Sequence, residues 1–381
     1  MSNFIYFVII VGFLDNFTQL PLISPYAQAL GGSSFWIGLV VSIYSLSNMV
    51  GNMLAGQWID RKGRKLIMMV GLVVAGCSLL LYPWATSVQQ LAAIRLVHGL
   101  GAGLVVPAAF AFLSDFLKQQ RRGEGMAWSG AAIGFAAIIG PAYGGVLSQQ
   151  LSLEWVFLSV AILLFVTAFL VALFLSESHF EGTIKDENKV QLLLILKKEG
   201  LRPAYLGAFA LMFGVGILTY ALPLKVAALG FGSALTGILM SVYGLVAILL
   251  FLLPTNRLSD RVGRLWPMAG GLWVLALGLV ALSLTQTPPS LVVSMVVFGI
   301  GFATLFPAMS ALVVDETKRQ ERGQAFGLFY AFFSLGVVTG PVLVGALGLT
   351  FDQSLAAGAL GLFGAGVAVV AISRRQRLNV S

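Results

Sequence analysis

The stretch GQWIDRKGRK (56–65) separates two long apolar runs, and its core returns as DRVGR (260–264) at an offset of 200 positions. The register holds well beyond that segment. Pro107 answers to Pro307, Gly140-Pro141 to Gly340-Pro341, and Asp115, Lys118, Arg122 and Gly123 to Asp315, Lys318, Arg322 and Gly323. With one residue of slippage, Gly38, Ser42 and Tyr44 answer to Gly237, Ser241 and Tyr243. Chance similarity is common in apolar sequence, but charges and prolines that keep register over half a chain are not. The chain therefore reads as two copies of one unit.

The medium around those copies follows from composition. Of 381 residues, 58% are hydrophobic and 10% charged, against about 25% charged in soluble proteins. Too few charges remain to cover water-exposed domains, so the solvent must be lipid. Apolar runs are expected to span at 4–28, 35–56, 66–84, 89–114, 124–148, 155–175, 203–228, 233–254, 266–285, 290–314, 323–348 and 352–372. Each is near the ~20 residues a bilayer-spanning helix needs and far longer than a barrel strand. Only helices satisfy their own backbone hydrogen bonds over such lengths in lipid. The expected fold is an all-α integral membrane protein with twelve transmembrane helices in two pseudo-symmetric six-helix bundles. Residues 1–175 form the first, 203–381 the second, and 176–202 a cytoplasmic linker carrying the amphipathic stretch VQLLLILKK. Parallel repeats of this kind place a substrate site near the bilayer midplane between the halves, which makes transport the leading function class.

Charge sets the expected orientation. Of the 23 Lys and Arg, 21 fall in alternate loops or the C-terminal tail; only Arg95 and Lys225 lie elsewhere. Positive loops stay cytoplasmic, so both termini are expected there. Basic residues dispersed between apolar runs argue against a nucleic-acid partner despite the net charge of +8. The N-terminus lacks a basic region and cleavage site and reads as a retained first span. Trp36, Trp84 and Trp155, and at the other face Trp58 and Trp266, read as interfacial anchors. Cys77, the only cysteine, reads as a packed small hydrophobe within LVVAGCSLL and permits no intrachain disulfide.

A few polar residues interrupt the spans. Asp15 is the only acid expected deep in the membrane, where a carboxylate is costly unless paired, hydrated or protonated. It is a candidate proton-coupling group; a structural acid capping a break before Pro21 and Pro25 is the other reading. Asn16 and Gln19 extend its polar face and, with Asp15 and Arg95, are the candidate cavity residues. Arg95, which answers to Met295 in the repeat, stays charged and needs partners. An interaction with Asp15 would tie proton occupancy to conformation, although a structural role is open. His98, one turn along, is either a relay or a hydrogen-bonded packing residue. Gly140, Pro141, Gly144 and Gly145 combine a helix breaker with small residues and read as a hinge or a static bend. Gly56, Asp60, Arg61, Gly63 and Arg64 read as a charged turn in which Arg64 reaches Asp115; Asp260, Arg264 and Asp315 repeat it. Such a cluster would serve as a conformational latch. Lys225 reads as snorkelling to an interface or facing the cavity.

These residues resemble the major facilitator superfamily, and within it the twelve-helix drug:proton antiporters. GQWIDRKGRK (56–65) is similar to the superfamily's loop 2–3 motif, and RLVHGLGAG (95–103) to a span-4 motif linked in the family to proton coupling, with His98 in place of Gln. GPAYGG (140–145) matches the core of the antiporter motif, and LDNFTQLPLISP (14–25) resembles the exporter span-1 pattern, its prolines one residue further apart. The resemblance implies a proton-coupled exporter of small amphipathic molecules, working by alternating access. The resemblance further implies a place in the cell inner (plasma) membrane, no enzyme activity, and no cofactor or metal, since the proton gradient would drive transport. Its partners would be a small-molecule substrate, protons and lipids, with a monomeric chain. A proton symporter or facilitator working inward shares every one of these features, and a non-transporting receptor or assembly subunit is the third class.

Overall fold

A computed structural model describes residues 2–116, 122–177, 192–252, 263–318 and 321–378, with backbone alone at 2–3, 60, 116, 122–124, 126, 192 and 373–378. The described residues are overwhelmingly helical. In the first half run α1 (Ser2–Gln19), α2 (Ile23–Ala29), α3 (Ser34–Lys62), α4 (Arg64–Leu81), α5 (Val88–Phe116), α6 (Arg122–Gln150) and α7 (Leu153–Phe174). A short α8 (Leu192–Lys197) leads into α9 (Arg202–Ala228), α10 (Ser233–Leu252), α11 (Leu265–Leu284), α12 (Pro288–Asp315), α13 (Arg322–Ala346) and α14 (Phe351–Leu378). Single 3-10 turns occupy Tyr82–Trp84 and Glu199–Leu201. Among the described residues, eleven helices are long and apolar enough to cross a membrane, and α1 with α2, bent by 44° at the break between them, makes twelve when the pair is counted as one span.

That bend has a local cause. Pro21 has no N–H to give, and the chain tightens around it: Leu20 N–H donates to the Phe17 carbonyl and Leu22 N–H to the Gln19 carbonyl, each three residues back. The helix restarts at Ile23. At Pro141, by contrast, α6 continues without a break. The turn after the second span is also tighter than expected. Gly56, Asp60 and Arg61 all lie inside α3, which ends only at Gly63, where φ is +90°.

Two compact units form: residues 1–182 with 222–241, and residues 183–221 with 242–381. In the first unit, α3 and α4 pack along α5, α6 lies along α1, and α7 covers α4. Helices in lipid gain little from apolar burial and associate by close van der Waals packing, which favours small residues at contacts. Gly144 of α6 sits against the Thr18 carbonyl of α1, and Gly145 against Gly237 of α10, so neither position has room for a side chain. Ser241 of α10 donates to the Ile138 carbonyl at 2.5 Å, and Ser233 to the Gly145 carbonyl at 2.8 Å. In the second unit, α11 packs between α12 and α14. Aromatic rings interlock there across α10, α12 and α13, with Phe302 and Phe306 stacked at 5.8 Å and Phe333 edge-on to Phe306.

Two side chains depart from expectation. Cys77 is exposed, not packed; it shares a face of α4 with the exposed Val73, Leu80 and Leu81, one helical turn apart, which the helix turns away from the bundle. Lys225 does not snorkel: it is 1% exposed in a stretch of α9 where Leu222, Leu224 and Val226 are buried as well.

Candidate functional site

Five buried polar residues of the first unit, Asp15, Gln19, Tyr82, Arg95 and His98, form one connected chain. On α1, Asp15 and Gln19 are one turn apart, and on α5 the same holds for Arg95 and His98. Asp15 is 1% exposed and His98 fully buried. His98 Nε2 lies 3.0 Å from Asp15 Oδ2, and its Nδ1 lies 2.9 Å from the hydroxyl of Tyr82. Gln19 bends back along α1, its Nε2 donating to the Asp15 carbonyl at 2.8 Å and to Oδ1 at 3.1 Å. Its Oε1 accepts from Arg95 Nη1 at 3.0 Å. Arg95 also donates from Nε to the Val40 carbonyl at 2.9 Å, lies over the Tyr44 ring at 4.6 Å and acts on the Tyr82 hydroxyl.

Chemistry dictates the orientation of each member. A carboxylate wants donors and a guanidinium wants acceptors, so the Gln19 amide can face only one way between them. It keeps opposite charges connected through neutral dipoles, without an ion pair whose desolvation would have to be offset. Asp15 is thus met directly by His98 and Gln19, and Arg95 is reached through Gln19. Asn16 is partly exposed, on a different face of α1 from Asp15.

Sequence reasoning did not find Tyr82, Tyr44 or Tyr26. The Tyr26 hydroxyl donates to the Tyr82 carbonyl at 2.6 Å and pins the 3-10 turn. Tyr26 also lines a cavity of about 250 Å³ bounded by Pro21, Leu22, Pro223, Phe231 and Ser233. The available signal was the repeat, in which Tyr44 answers to Tyr243; Tyr82 had none, since beside Trp84 it reads as another span-end aromatic.

The charged turns lie at the far end of the unit. Arg64 and Asp115 form an ion pair joining α4 to α5. Arg264 Nε and Asp315 Oδ2 make the corresponding pair in the second unit, at 2.8 Å. The side chain of Asp60 and the whole of Asp260 lie outside the described residues; Arg61 is exposed. Glu177, which follows α7, adds a contact not expected from sequence. Its Oε1 accepts from the Lys65 N–H at 3.1 Å, at the start of α4, and its carboxylate fills the space where a side chain on Gly63 would stand. An acid there is favoured by the unpaired N–H groups of a helix start. In the second unit Lys198, just past α8, donates to Glu321 at 2.6 Å. That bond, with the Lys318 N–H, holds the Glu321 carboxyl below the usual carboxylate range. Among the described residues, no cluster of three His, Cys, Asp or Glu side chains could hold a metal.

The sequence profile of the Major Facilitator Superfamily matches residues 5–224 and, a second time, 204–379. The chain belongs to this superfamily. As a major facilitator it is a multi-pass membrane transporter of small molecules and not an enzyme. Multidrug resistance protein 2 of Bacillus subtilis is 26% identical over 358 residues, covering 91% of this chain and 88% of that one. Multidrug resistance protein MdtG of Escherichia coli is 26% identical over 344 residues, covering 87% and 84%. Among solved structures, a bacterial homologue of the human lysosomal transporter Spinster, inward-facing and occupied, superposes with a TM-score of 0.83 at 15% identity, over 98% and 96% of the two chains. The nucleoside transporter NupG gives 0.79 at 15% identity, over 97% and 98%. At that identity the solved structures speak to the shared superfamily fold.

Proposed function

We propose that this transporter is a proton-coupled exporter of small amphipathic molecules, resident in the inner membrane with both termini cytoplasmic. One observation carries the reading: a carboxylate and an imidazole, Asp15 and His98, paired at 3.0 Å in a fully buried site and connected through Gln19 to Arg95. Burial penalises charge, so a carboxyl–imidazole pair responds to any change in water access by taking up or releasing a proton. Arg95 biases that exchange, because its positive charge is best balanced when Asp15 is ionised. Alternating exposure of the site to the two sides then converts proton entry into substrate exit. The names of the two bacterial relatives favour drug-like cargo and the outward direction.

The surrounding parts take matching roles. Gly140, Pro141, Gly144 and Gly145 hold α6 close to α1 and α10 and act as the hinge region. Arg64 with Asp115, and Arg264 with Asp315, act as latches at the cytoplasmic end, and Gly56, Asp60, Arg61, Gly63 and Asp260 belong to the same two sequence motifs. Residues 1–175 and 203–381 are the rocking halves, and 176–202 is their cytoplasmic linker.

Asp15→Asn tests the reading. In everted vesicles, adding substrate to the parent chain should discharge an imposed pH gradient, and the variant should fold, bind substrate and leave the gradient intact. Substrate-induced proton movement that survives in Asp15→Asn, or uptake into intact cells that rises with external acidity, would overturn it.

A further inference from the structure

We propose that the Tyr82 hydroxyl governs the protonation of His98, so that Tyr82, His98 and Asp15 gain and lose the coupling proton as one unit. The inference deepens the proton-coupled reading and rests on it for the word coupling, but the chemistry at His98 can be tested alone. Three observations carry it. Both imidazole nitrogens are engaged, Nε2 by Asp15 at 3.0 Å and Nδ1 by Tyr82 at 2.9 Å. His98 and Tyr82 are 0% exposed and Asp15 1%, so none of the three relies on bulk water. Tyr82 is itself fixed from behind, because Tyr26 donates to its carbonyl at 2.6 Å and its ring packs on Phe157 at 4.7 Å.

A tyrosine hydroxyl can donate or accept. In the deprotonated unit Asp15 is a carboxylate, Nε2–H donates to Oδ2, and the Tyr82 O–H donates to Nδ1. Adding one proton forms an Nδ1–H bond and breaks none; the Tyr82 hydroxyl rotates, keeps its own proton and accepts from Nδ1. Asp15 then faces an imidazolium. The other groups around the pair are Tyr44 of α3, edge-on to the His98 ring at 5.1 Å, and Arg95 of the same helix as His98, which lies over Tyr44 and also acts on the Tyr82 hydroxyl from the side away from Nδ1 as a fixed positive charge. Both are poor substitutes for a partner at Nδ1: the one presents a ring and the other a second positive charge.

The two protonation states lean on the hydroxyl unequally: without it the neutral form loses an ordinary hydrogen bond and the protonated form a charge-assisted one, which is the stronger.

His98 and His179 are the only histidines, so a His179→Ala background isolates His98 for 15N NMR of the purified full chain. Tyr82→Phe should move the His98 titration and change the Nδ1 signal of the neutral ring, which loses the hydrogen bond it accepts. An unmoved titration overturns the inference whatever transport does. A moved titration in a chain whose transport ignores the pH gradient supports the assignment at His98 and overturns the exporter reading. Should Tyr82→Phe not fold, the parent hydroxyl provides the second measurement: in the same His179→Ala background Nδ1 of the neutral His98 ring should carry no proton and show the 15N shift of a nitrogen accepting a hydrogen bond. A neutral ring that carries its proton on Nδ1 overturns the inference.

Discussion

Gln19 is a neutral residue with two charged clients. Its amide serves Asp15 with one end and Arg95 with the other, all three almost fully buried. Gln19→Leu conserves bulk but orphans an acceptor on Asp15 and a donor on Arg95. An unsatisfied buried group costs about 1–3 kcal/mol, so the variant should lose roughly 3 kcal/mol, read as a lower unfolding temperature in detergent. A loss much below 1 kcal/mol would mean that water enters this site. At this scale the sequence was legible where a residue type is costly in lipid: Asp15 and Arg95 stand out in apolar runs because charge must be compensated there. Tyr82 was not legible, because an amphipathic aromatic is as much at home at a membrane interface as in a buried network. What distinguishes it is a partner 16 residues away, His98, across the connection from α4 to α5.

Among the helices, α8 tests how a short element is held. With six residues it cannot be stable alone. Ile195 is buried while Leu193 and Leu194 are exposed, and just past its end Lys198 pairs with Glu321. Glu321 is held below its ordinary value by Lys198 and the Lys318 N–H. Its contribution is therefore complete above the unfolded carboxylate value of about 4.3 and disappears as pH falls through the lower folded value. Between about pH 5 and 8 the pairing should not vary. Glu321→Gln should release α8 at neutral pH, seen as faster hydrogen–deuterium exchange over 192–201, while the parent chain exchanges slowly down to pH 5. Element existence was easy to read here and element ends were not. The polar segment 56–62 looks like a loop by hydropathy, yet nothing in it opposes a helix, and the stop comes at Gly63, which, unlike Gly56, adopts a positive φ.

For the whole molecule, the repeat was legible because paired charges and prolines hold register at an offset of 200. The placement of 222–241 with the first-half helices was not, since it depends on backbone contact between Gly145 and Gly237 that leaves no periodic trace. The consequence is a chain that should not divide cleanly. Residues 1–182 expressed alone lack the partner for the Gly145 face of α6 and should aggregate or degrade, whereas co-expression with 183–381 should restore a complex that copurifies. Stable, monodisperse 1–182 would contradict this. Cys77, finally, is both unique and exposed on the outward face of α4. The unaltered chain therefore carries its own depth gauge: a nitroxide on that thiol would sense lipid-soluble oxygen strongly and a water-soluble nickel chelate weakly, and the ratio would register where the transporter floats in the bilayer without engineering a single residue.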